Sequence, residues 1–105
     1  MGLKVIWTNF AKLELQKIFA YYNENATLKV AKKLVTEIVG ESKKLSKNPE
    51  IGQRDELLSE LQNDYRYLIF KSYKIVYYFN YRTNTVEIHD VFDSRQNPIK
   101  ITRRK

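Results

Sequence analysis

The chain has no cysteine, a single histidine and no long apolar run. Without cysteine it can form neither a disulfide framework nor a thiolate zinc site, and His89 alone cannot build a histidine-rich metal site. A membrane-spanning helix needs about 20 apolar residues, which no segment supplies. The first residues also lack the apolar stretch of a secretion signal. We therefore predict a cytoplasmic protein that has no metal, no cofactor and no membrane anchor.

Acidic residues are outnumbered, with 12 Asp and Glu against 19 Lys and Arg, which gives a net charge of +7. Such a charge favours an acidic partner or a polyanion. The imbalance is strongest at the C-terminus, where residues 95–105 carry cations and no acid. This basic tail, at about 96–105, either binds a partner or frays as a disordered end. If it binds, the predicted contact residues are Arg95, Gln96, Lys100, Arg103 and Arg104.

The 105-residue length and the apolar fraction of 43% fit one folded domain spanning residues 1–105. Its first half predicts a short strand and two helices. Apolar residues alternate with others over residues 3–8, which is typical of a strand. Two later segments repeat apolar residues at helical spacing. The predicted core-facing stripes are Ala11, Leu15, Ile18 and Tyr22 in the first helix, and Ala31, Leu34, Val35, Ile38 and Leu45 in the second.

The helix ends also carry sequence signals. Thr8 or Asn9 can cap the first helix and Thr27 the second, because their side-chain oxygens accept backbone N–H groups. The second helix should end before Pro49, since a residue preceding proline disfavours helical geometry. Within it, Gly40 indicates either close packing or a tolerated weakness. A short loop joins the helices, so we predict an antiparallel hairpin.

The second half predicts a sheet. Residues 49–61 form a turn and an irregular or short-strand segment, and strands follow at about 65–71, 73–81 and 85–92. The order β-α-α-(β)-β-β-β predicts an α+β fold. In this fold the N-terminal strand precedes a two-helix hairpin, which packs on one face of a small twisted antiparallel sheet.

Side-chain alternation assigns the faces of that sheet. The odd residues from Tyr73 to Tyr81 are aromatic or apolar and should meet the helices. A turn around 82–85 would place Phe79 opposite Ile88 and Tyr81 opposite Val86. The same register would place three further pairs on the other face, called the open face below: Tyr78 with His89, Val76 with Val91, and Lys74 near Asp93.

The preceding hairpin allows two registers. A three-residue turn at 70–72 puts Arg66 on the open face, whereas a two-residue turn at 71–72 sends it toward the helices. We favour the first, because burying an unpaired charge is costly. The open face then holds every candidate catalytic residue: Arg66, Lys74, Tyr78, His89 and Arg95.

Each candidate also has a structural interpretation. His89 and Tyr78 can simply pack against neighbouring strands, and Lys74 and Arg66 can be solvated strand residues. Arg95 follows the last strand in a polar loop, and loops held by a rigid sheet often carry function. Asp93 could nevertheless hold Arg95 in a purely structural ion pair.

Four segments, in this order and spacing, resemble the RelE/ParE superfamily of bacterial type II toxins: VIWTNFAKLELQKIFAYY, LSKNPEIGQ, YRYLIFKSYKIVYYF and VEIHDVFDSRQNP. The resemblance covers nearly the whole chain and implies the fold predicted above. It also implies a toxin of the plasmid-stabilisation type that an acidic antitoxin neutralises. The family includes RelE-like enzymes, which cut mRNA on the ribosome, and ParE-like inhibitors of DNA gyrase.

The family positions map onto this chain with two departures. The basic positions of RelE-like enzymes fall on Arg66, Lys74 and Arg95. Leu68 stands where a second lysine is expected, and Ile101 falls near the position of the C-terminal tyrosine. We therefore favour gyrase inhibition. The alternatives are ribosome-dependent mRNA cleavage and a degenerate toxin that only binds its antitoxin.

A general nucleic-acid-binding domain is a further alternative. Single-strand binders stack bases on exposed aromatic rings. The only candidates here are Tyr78 and Tyr65 or Tyr67, because the other aromatic residues are assigned mainly to the core. This alternative therefore has the weakest support.

Overall fold

The structure, a computed structural model, describes residues 2–54 and 65–95. Their order of elements confirms the predicted α+β class. Neither helix within these ranges combines the length and apolarity that crossing a bilayer requires. The elements are β1 (Lys4–Trp7), α1 (Asn9–Asn25), α2 (Leu28–Lys43), a 3-10 turn (Lys44–Ser46), β2 (Gln53–Arg54), β3 (Tyr65–Phe70), β4 (Tyr73–Asn80) and β5 (Thr85–Asp93).

Threonine side chains begin both helices. Thr8 Oγ1 accepts the backbone N–H of Ala11 at 3.2 Å, and Thr27 Oγ1 accepts that of Val30 at 3.1 Å. Each such cap contributes about 1 kcal/mol by satisfying a donor at the helix terminus. Gly40 is exposed, and a Cβ added there would meet no atom within 4 Å. Gly40 is therefore a tolerated weakness in α2 and no close contact depends on it.

The sheet is mixed, with strand order β1-β5-β4-β3-β2. β1 runs parallel to β5, and the other pairs are antiparallel. A parallel pair requires a long crossover connection, which the helices and the strands that follow them supply here. The helices cover one face of the sheet, called the helix face below. The buried core between them comprises Ala11, Leu34, Ile38, Leu45, Tyr73, Ile75, Tyr77, Val86, Ile88 and Val91.

The predicted register between β4 and β5 is wrong, although Tyr73, Ile75, Tyr77 and Phe79 do face the helices. Phe79 lies opposite Val86, two residues from the predicted partner. β4 ends at Asn80, whose side-chain oxygen accepts the backbone N–H groups of the two turn residues 82 and 83. This turn closes the hairpin early, so Tyr81 lies outside the strand and is 75% exposed.

A bulge then shifts the register once more. Ile88 lies opposite Tyr77, while Asp90 lies opposite Val76, so His89 is the additional residue on β5. Extra residues of this kind change the side-chain alternation beyond them. As a result Asp93 pairs with Tyr73 on the helix face, and the predicted pairing of Lys74 with Asp93 is wrong.

The favoured register between β3 and β4 is also wrong. A two-residue turn at 71–72 joins the strands, with Lys71 at a φ of 55°, and Arg66 lies opposite Tyr77 on the helix face. The expected cost of burying an unpaired charge does not arise, because backbone carbonyls accept hydrogen bonds from the Arg66 guanidinium. Arg66 Nη1 donates to Gly52 O at 3.0 Å and to Glu50 O at 3.4 Å.

Candidate functional site

Arg95 directly follows β5 and is held by Asp93. Its Nη2 lies 2.6 Å from Asp93 Oδ2, while its Nε and backbone N–H donate to Oδ1 at 3.0 and 2.9 Å. These hydrogen bonds and the positive charge of Arg95 lower the pKa of Asp93. The Arg95 side chain is nevertheless 73% exposed, so its guanidinium can still contact a partner.

The loop that carries Arg95 is tied to the β3–β4 turn. Both the backbone N–H and the hydroxyl of Ser94 donate to Ser72 O, at 2.7 and 2.8 Å. A serine hydroxyl can donate one hydrogen bond, and here it reinforces the backbone bond between two segments that are distant in sequence. Arg95 therefore projects from a position fixed by two neighbouring strands.

Arg95 borders a cleft of 350 Å³ between α1 and the adjoining ends of β4 and β5. Inside this cleft Tyr73 donates its hydroxyl hydrogen to the Tyr22 oxygen at 3.3 Å. Burial, followed by the contact with Tyr22, raises the pKa of Tyr73 well above its usual value. The lining residues are Glu14, Lys17, Ile18, Tyr21, Tyr22, Tyr73, Val91, Phe92, Asp93 and Arg95.

Arg66 belongs to a different part of the helix face. Its guanidinium binds the carbonyls of residues 50 and 52, and Tyr77 binds the same segment. The Tyr77 hydroxyl donates to Pro49 O at 2.7 Å and accepts the N–H of Gly52 at 3.0 Å. Arg66 and Tyr77 therefore fix the chain that leads into β2.

Lys74, Tyr78 and His89 lie on the open face, as predicted. The rings of Tyr78 and His89 have centroids 4.8 Å apart, and Tyr65 approaches both at 5.4 Å. Lys74 Nζ sits 4.1 Å from the centroid of the Tyr67 ring, a cation–π contact. The open face thus carries a cluster of aromatic rings with one lysine beside it.

The ionisation of this cluster follows from its surroundings. Burial raises the pKa of Tyr78, and the nearby Glu87 carboxylate raises it further. Glu87 Oε1 also lies 3.4 Å from Nε2 of His89. Tyr78 therefore remains protonated at neutral pH.

The five candidate catalytic residues do not form one site. Arg66 and Arg95 lie on the helix face, and Lys74, Tyr78 and His89 lie on the open face. The prediction that both arginines lie on the open face is therefore wrong. Gln96, Lys100, Arg103 and Arg104 fall outside the described residues, so their role in partner binding stays a prediction.

Sequence reasoning overlooked several neighbours of the candidates. Tyr22 and Tyr73 border the Arg95 cleft, but the helical stripe and the strand alternation assigned both only to the core. Tyr67 was one of the alternative stacking residues, and its contact with Lys74 depends on the two-residue turn. A two-residue turn at 71–72, had it been favoured, would have placed Tyr67 on the open face beside Lys74.

The family model for the ParE toxin of the type II toxin–antitoxin system parDE matches residues 5–98. A chain of the chromosomal ParDE system from P. aeruginosa aligns with a TM-score of 0.72 and 20% identity, covering 88% of this chain and 96% of that one. A chain of the RelBE2 toxin–antitoxin complex from Mycobacterium tuberculosis aligns with a TM-score of 0.63 and 20% identity, covering 89% and 92%. No curated protein matches.

At 20% identity the two structural likenesses establish the fold alone. The family match extends over most of the chain, from β1 to beyond Arg95. This protein belongs to the ParE toxin family of type II toxin–antitoxin systems.

Proposed function

We propose that this chain is a toxin that inhibits DNA gyrase by binding it, and that an acidic antitoxin neutralises the toxin. Membership of the ParE family supports the toxin assignment. The observation that supports binding over RNA cleavage is the placement of Arg66 and Arg95 on the helix face and Lys74 on the open face. The sheet separates these cations, whereas phosphoryl chemistry needs cations that converge on one developing charge.

The two arginines are also distant from each other. Arg66 lies opposite Tyr77, and Arg95 is held beside Tyr73 through Asp93. Four residues along β4 span about 13 Å. The Arg66 guanidinium is held by the carbonyls of residues 50 and 52 and the Arg95 guanidinium by Asp93, so the two groups do not converge on one site in this structure.

The proton-transfer chemistry of the open face points the same way. A general base or acid works best when its pKa lies near the operating pH. The pKa of Tyr78 is raised from an already high ordinary value by burial and by Glu87. Tyr78 is therefore poorly suited to abstract a proton at neutral pH, which supports a binding function.

One observation favours mRNA cleavage as a second candidate function. Lys74, Tyr78 and His89 share the open face, and the Tyr78 and His89 rings are in contact. Histidine is the side chain that most often transfers protons in catalysis. RNA cleavage here would use His89 for proton transfer and Lys74, about 13 Å from Tyr78 along β4, as a contact to a neighbouring phosphate of the same RNA segment.

Expression of the chain from a tightly controlled promoter tests both candidates. We expect growth arrest with SOS induction and linearised or cleaved DNA, and we expect the purified chain to inhibit supercoiling by gyrase in vitro. Normal growth at confirmed soluble expression would contradict toxicity and favour a degenerate toxin that only binds its antitoxin.

The nuclease candidate is tested by a matched pair of variants, Lys74→Ala and Lys71→Ala. Lys71 lies in the exposed β3–β4 turn and pairs with Glu37 at 3.3 Å, so its replacement controls for loss of one charge. Under the gyrase proposal both variants still inhibit growth, and mRNA stays intact. Codon-phased mRNA cuts that disappear only in Lys74→Ala would replace gyrase with ribosome-bound mRNA as the target.

A further inference from the structure

The Arg95 cleft holds charges of opposite sign at different depths. The side chains of Lys17 and Arg95 are 74% and 73% exposed, whereas those of their partners Glu14 and Asp93 are 11% and 17% exposed. The two ion pairs close at 3.0 and 2.6 Å, so each carboxylate already has a cation beside it. A group that enters from solvent meets the two cations first. The cleft therefore favours an anionic group, because a cationic one would have to displace both resident cations.

Arg95 still has hydrogen-bond donors for such a group. A guanidinium carries five N–H donors, and here Nε and Nη2 face Asp93. Among the described residues, none accepts a hydrogen bond from Nη1. Nη1 and the second hydrogen of Nη2 form another edge of the guanidinium, and such an edge matches the two oxygens of a carboxylate. Asp93 thus holds one edge of Arg95 and leaves a second edge for a ligand.

Tyr22 supplies a further donor in the cleft. Its oxygen accepts the hydroxyl hydrogen of Tyr73 at 3.3 Å, which leaves its own hydrogen available. The guanidinium of Arg95 lies near this pair of hydroxyls. Burial and the contact with Tyr22 raise the pKa of Tyr73, and the charge of Arg95 opposes that rise. Arg95 and Tyr22 therefore offer donors to the same small volume.

The rest of the lining is mainly apolar or aromatic. Ile18, Val91 and Phe92 contribute apolar surface, and the ring of Tyr21 lies beside them. The volume of 350 Å³ is near the lower end of ligand pockets, which span about 300–1,000 Å³. The ligand is therefore about as large as one amino-acid residue with an apolar or aromatic side chain. A nucleic-acid phosphate fits less well, because burying its polar sugars against Ile18 and Val91 would be costly.

We propose that the Arg95 cleft binds the free C-terminal carboxylate of a polypeptide that ends in an apolar or aromatic residue. The carboxylate lies on the open edge of Arg95 and accepts the Tyr22 hydroxyl, and the terminal side chain lies against Ile18 and Val91. In a terminal residue the carboxylate and the side chain leave the same carbon, so one residue reaches both parts of the cleft. An internal acidic residue would need two chain exits from a cleft of this size.

This site does not depend on the proposed function, because its geometry is the same whichever target the chain binds. The titrations below use the purified chain, and the growth test uses expression in cells. A chain that arrests growth but fails the titrations refutes the carboxylate site only. A chain that passes the titrations but leaves growth unaffected refutes the toxic activity only.

A set of small ligands tests the chemistry, with binding followed by NMR of the backbone amides. N-acetylphenylalanine should bind with a dissociation constant of about 1 mM and shift the amide signals of residues 17–22 and 91–95. Its amide, which lacks the charge, and N-acetylglycine, which lacks the ring, should each bind at least about tenfold more weakly. Equal binding of either analogue, or shifts confined to other segments, would overturn the proposal.

A fourth ligand tests the source of the carboxylate. Acetyl-Phe-Glu-amide carries the same ring, but its only carboxylate is on a side chain. We expect it to bind at least about fivefold more weakly than N-acetylphenylalanine, because its chain continues past the carboxylate-bearing residue. Tighter binding of this peptide would refute a C-terminal ligand and assign the cleft to an acidic side chain.

A matched pair of variants tests the role of Arg95. Arg95→Lys keeps the charge but removes the planar edge, so it should weaken binding of N-acetylphenylalanine by about fivefold or more. Arg82→Lys is the control, because Arg82 is exposed in the turn beyond the far end of β4, which spans about 23 Å from Tyr73. It should bind like the parent chain. Unchanged binding by Arg95→Lys, or an equal loss in both variants, would refute the site.

Discussion

The two faces of the sheet hold their aromatic residues in different ways. On the helix face Tyr73 and Tyr77 are buried, and their hydroxyls bond to Tyr22 and to the chain at Pro49 and Gly52. On the open face the rings of Tyr65, Tyr78 and His89 contact one another and stay partly exposed.

This difference shows where each face gets its stability. Tyrosines on the helix face satisfy their hydroxyls with fixed partners, because an unsatisfied buried hydroxyl is costly. On the open face the rings gain edge contacts and a cation–π contact, which contribute less and leave side chains accessible. The helix face therefore holds the larger core, and the open face holds a smaller buried cluster of Val76 and Phe92.

The largest expected effect comes from truncating an isoleucine on each face. Ile75→Ala removes a fully buried side chain of the helix face and should lower the free energy of unfolding by about 4 kcal/mol. Ile69→Ala, on the open face at 54% exposure, should cost under about 1 kcal/mol. Chemical denaturation measures both. Similar losses for the two variants would contradict the contrast between the faces.

A smaller effect is expected at Gly52, where the helix face meets the chain that enters β2. A Cβ added there would lie 2.5 Å from the Tyr77 hydroxyl oxygen and 2.8 Å from the Tyr67 carbonyl oxygen. Gly52→Ala should therefore destabilise the fold by about 2 kcal/mol. The control Gly40→Ala should stabilise it by about 1 kcal/mol, because alanine favours helix and meets nothing there.

Thermal or chemical unfolding of these two glycine variants should give shifts of opposite sign. A stabilising Gly52→Ala would show that segment 49–52 is not held closely against Tyr77. A destabilising Gly40→Ala would show that the outer surface of α2 has a contact at Gly40.

The smallest effect concerns Asp93, which the bulge moves to the helix face. Its pKa is lowered in the folded state, chiefly by Arg95, so the ionised carboxylate stabilises the fold. This contribution is complete above the unfolded pKa of about 3.9 and disappears as the pH falls through the lower folded pKa. Asp93→Asn should therefore be slightly less stable at pH 7 and converge with the parent in acid. A pH-independent difference would contradict the ion pair.

Much of the fold was predictable from local patterns. The stripe in α1, the threonine caps and the alternation in β4 each involve residues close in sequence, and the structure confirms them. The candidate site was less predictable. Arg66 lies on the helix face, contrary to the prediction, because Lys71 adopts a positive φ that closes a two-residue turn. Backbone carbonyls accept hydrogen bonds from its guanidinium there.

The sequence by itself determined the elements, the core-facing stripes, the basic charge and the resemblance to a toxin family. Periodicity and charge are local properties of the chain, so they can be read without coordinates. Only the tertiary structure decided which cations share a face and which strands form the edges of the sheet. These outcomes depend on one turn, one bulge at His89 and the parallel docking of β1 on β5, each of which changes pairings between residues far apart in sequence.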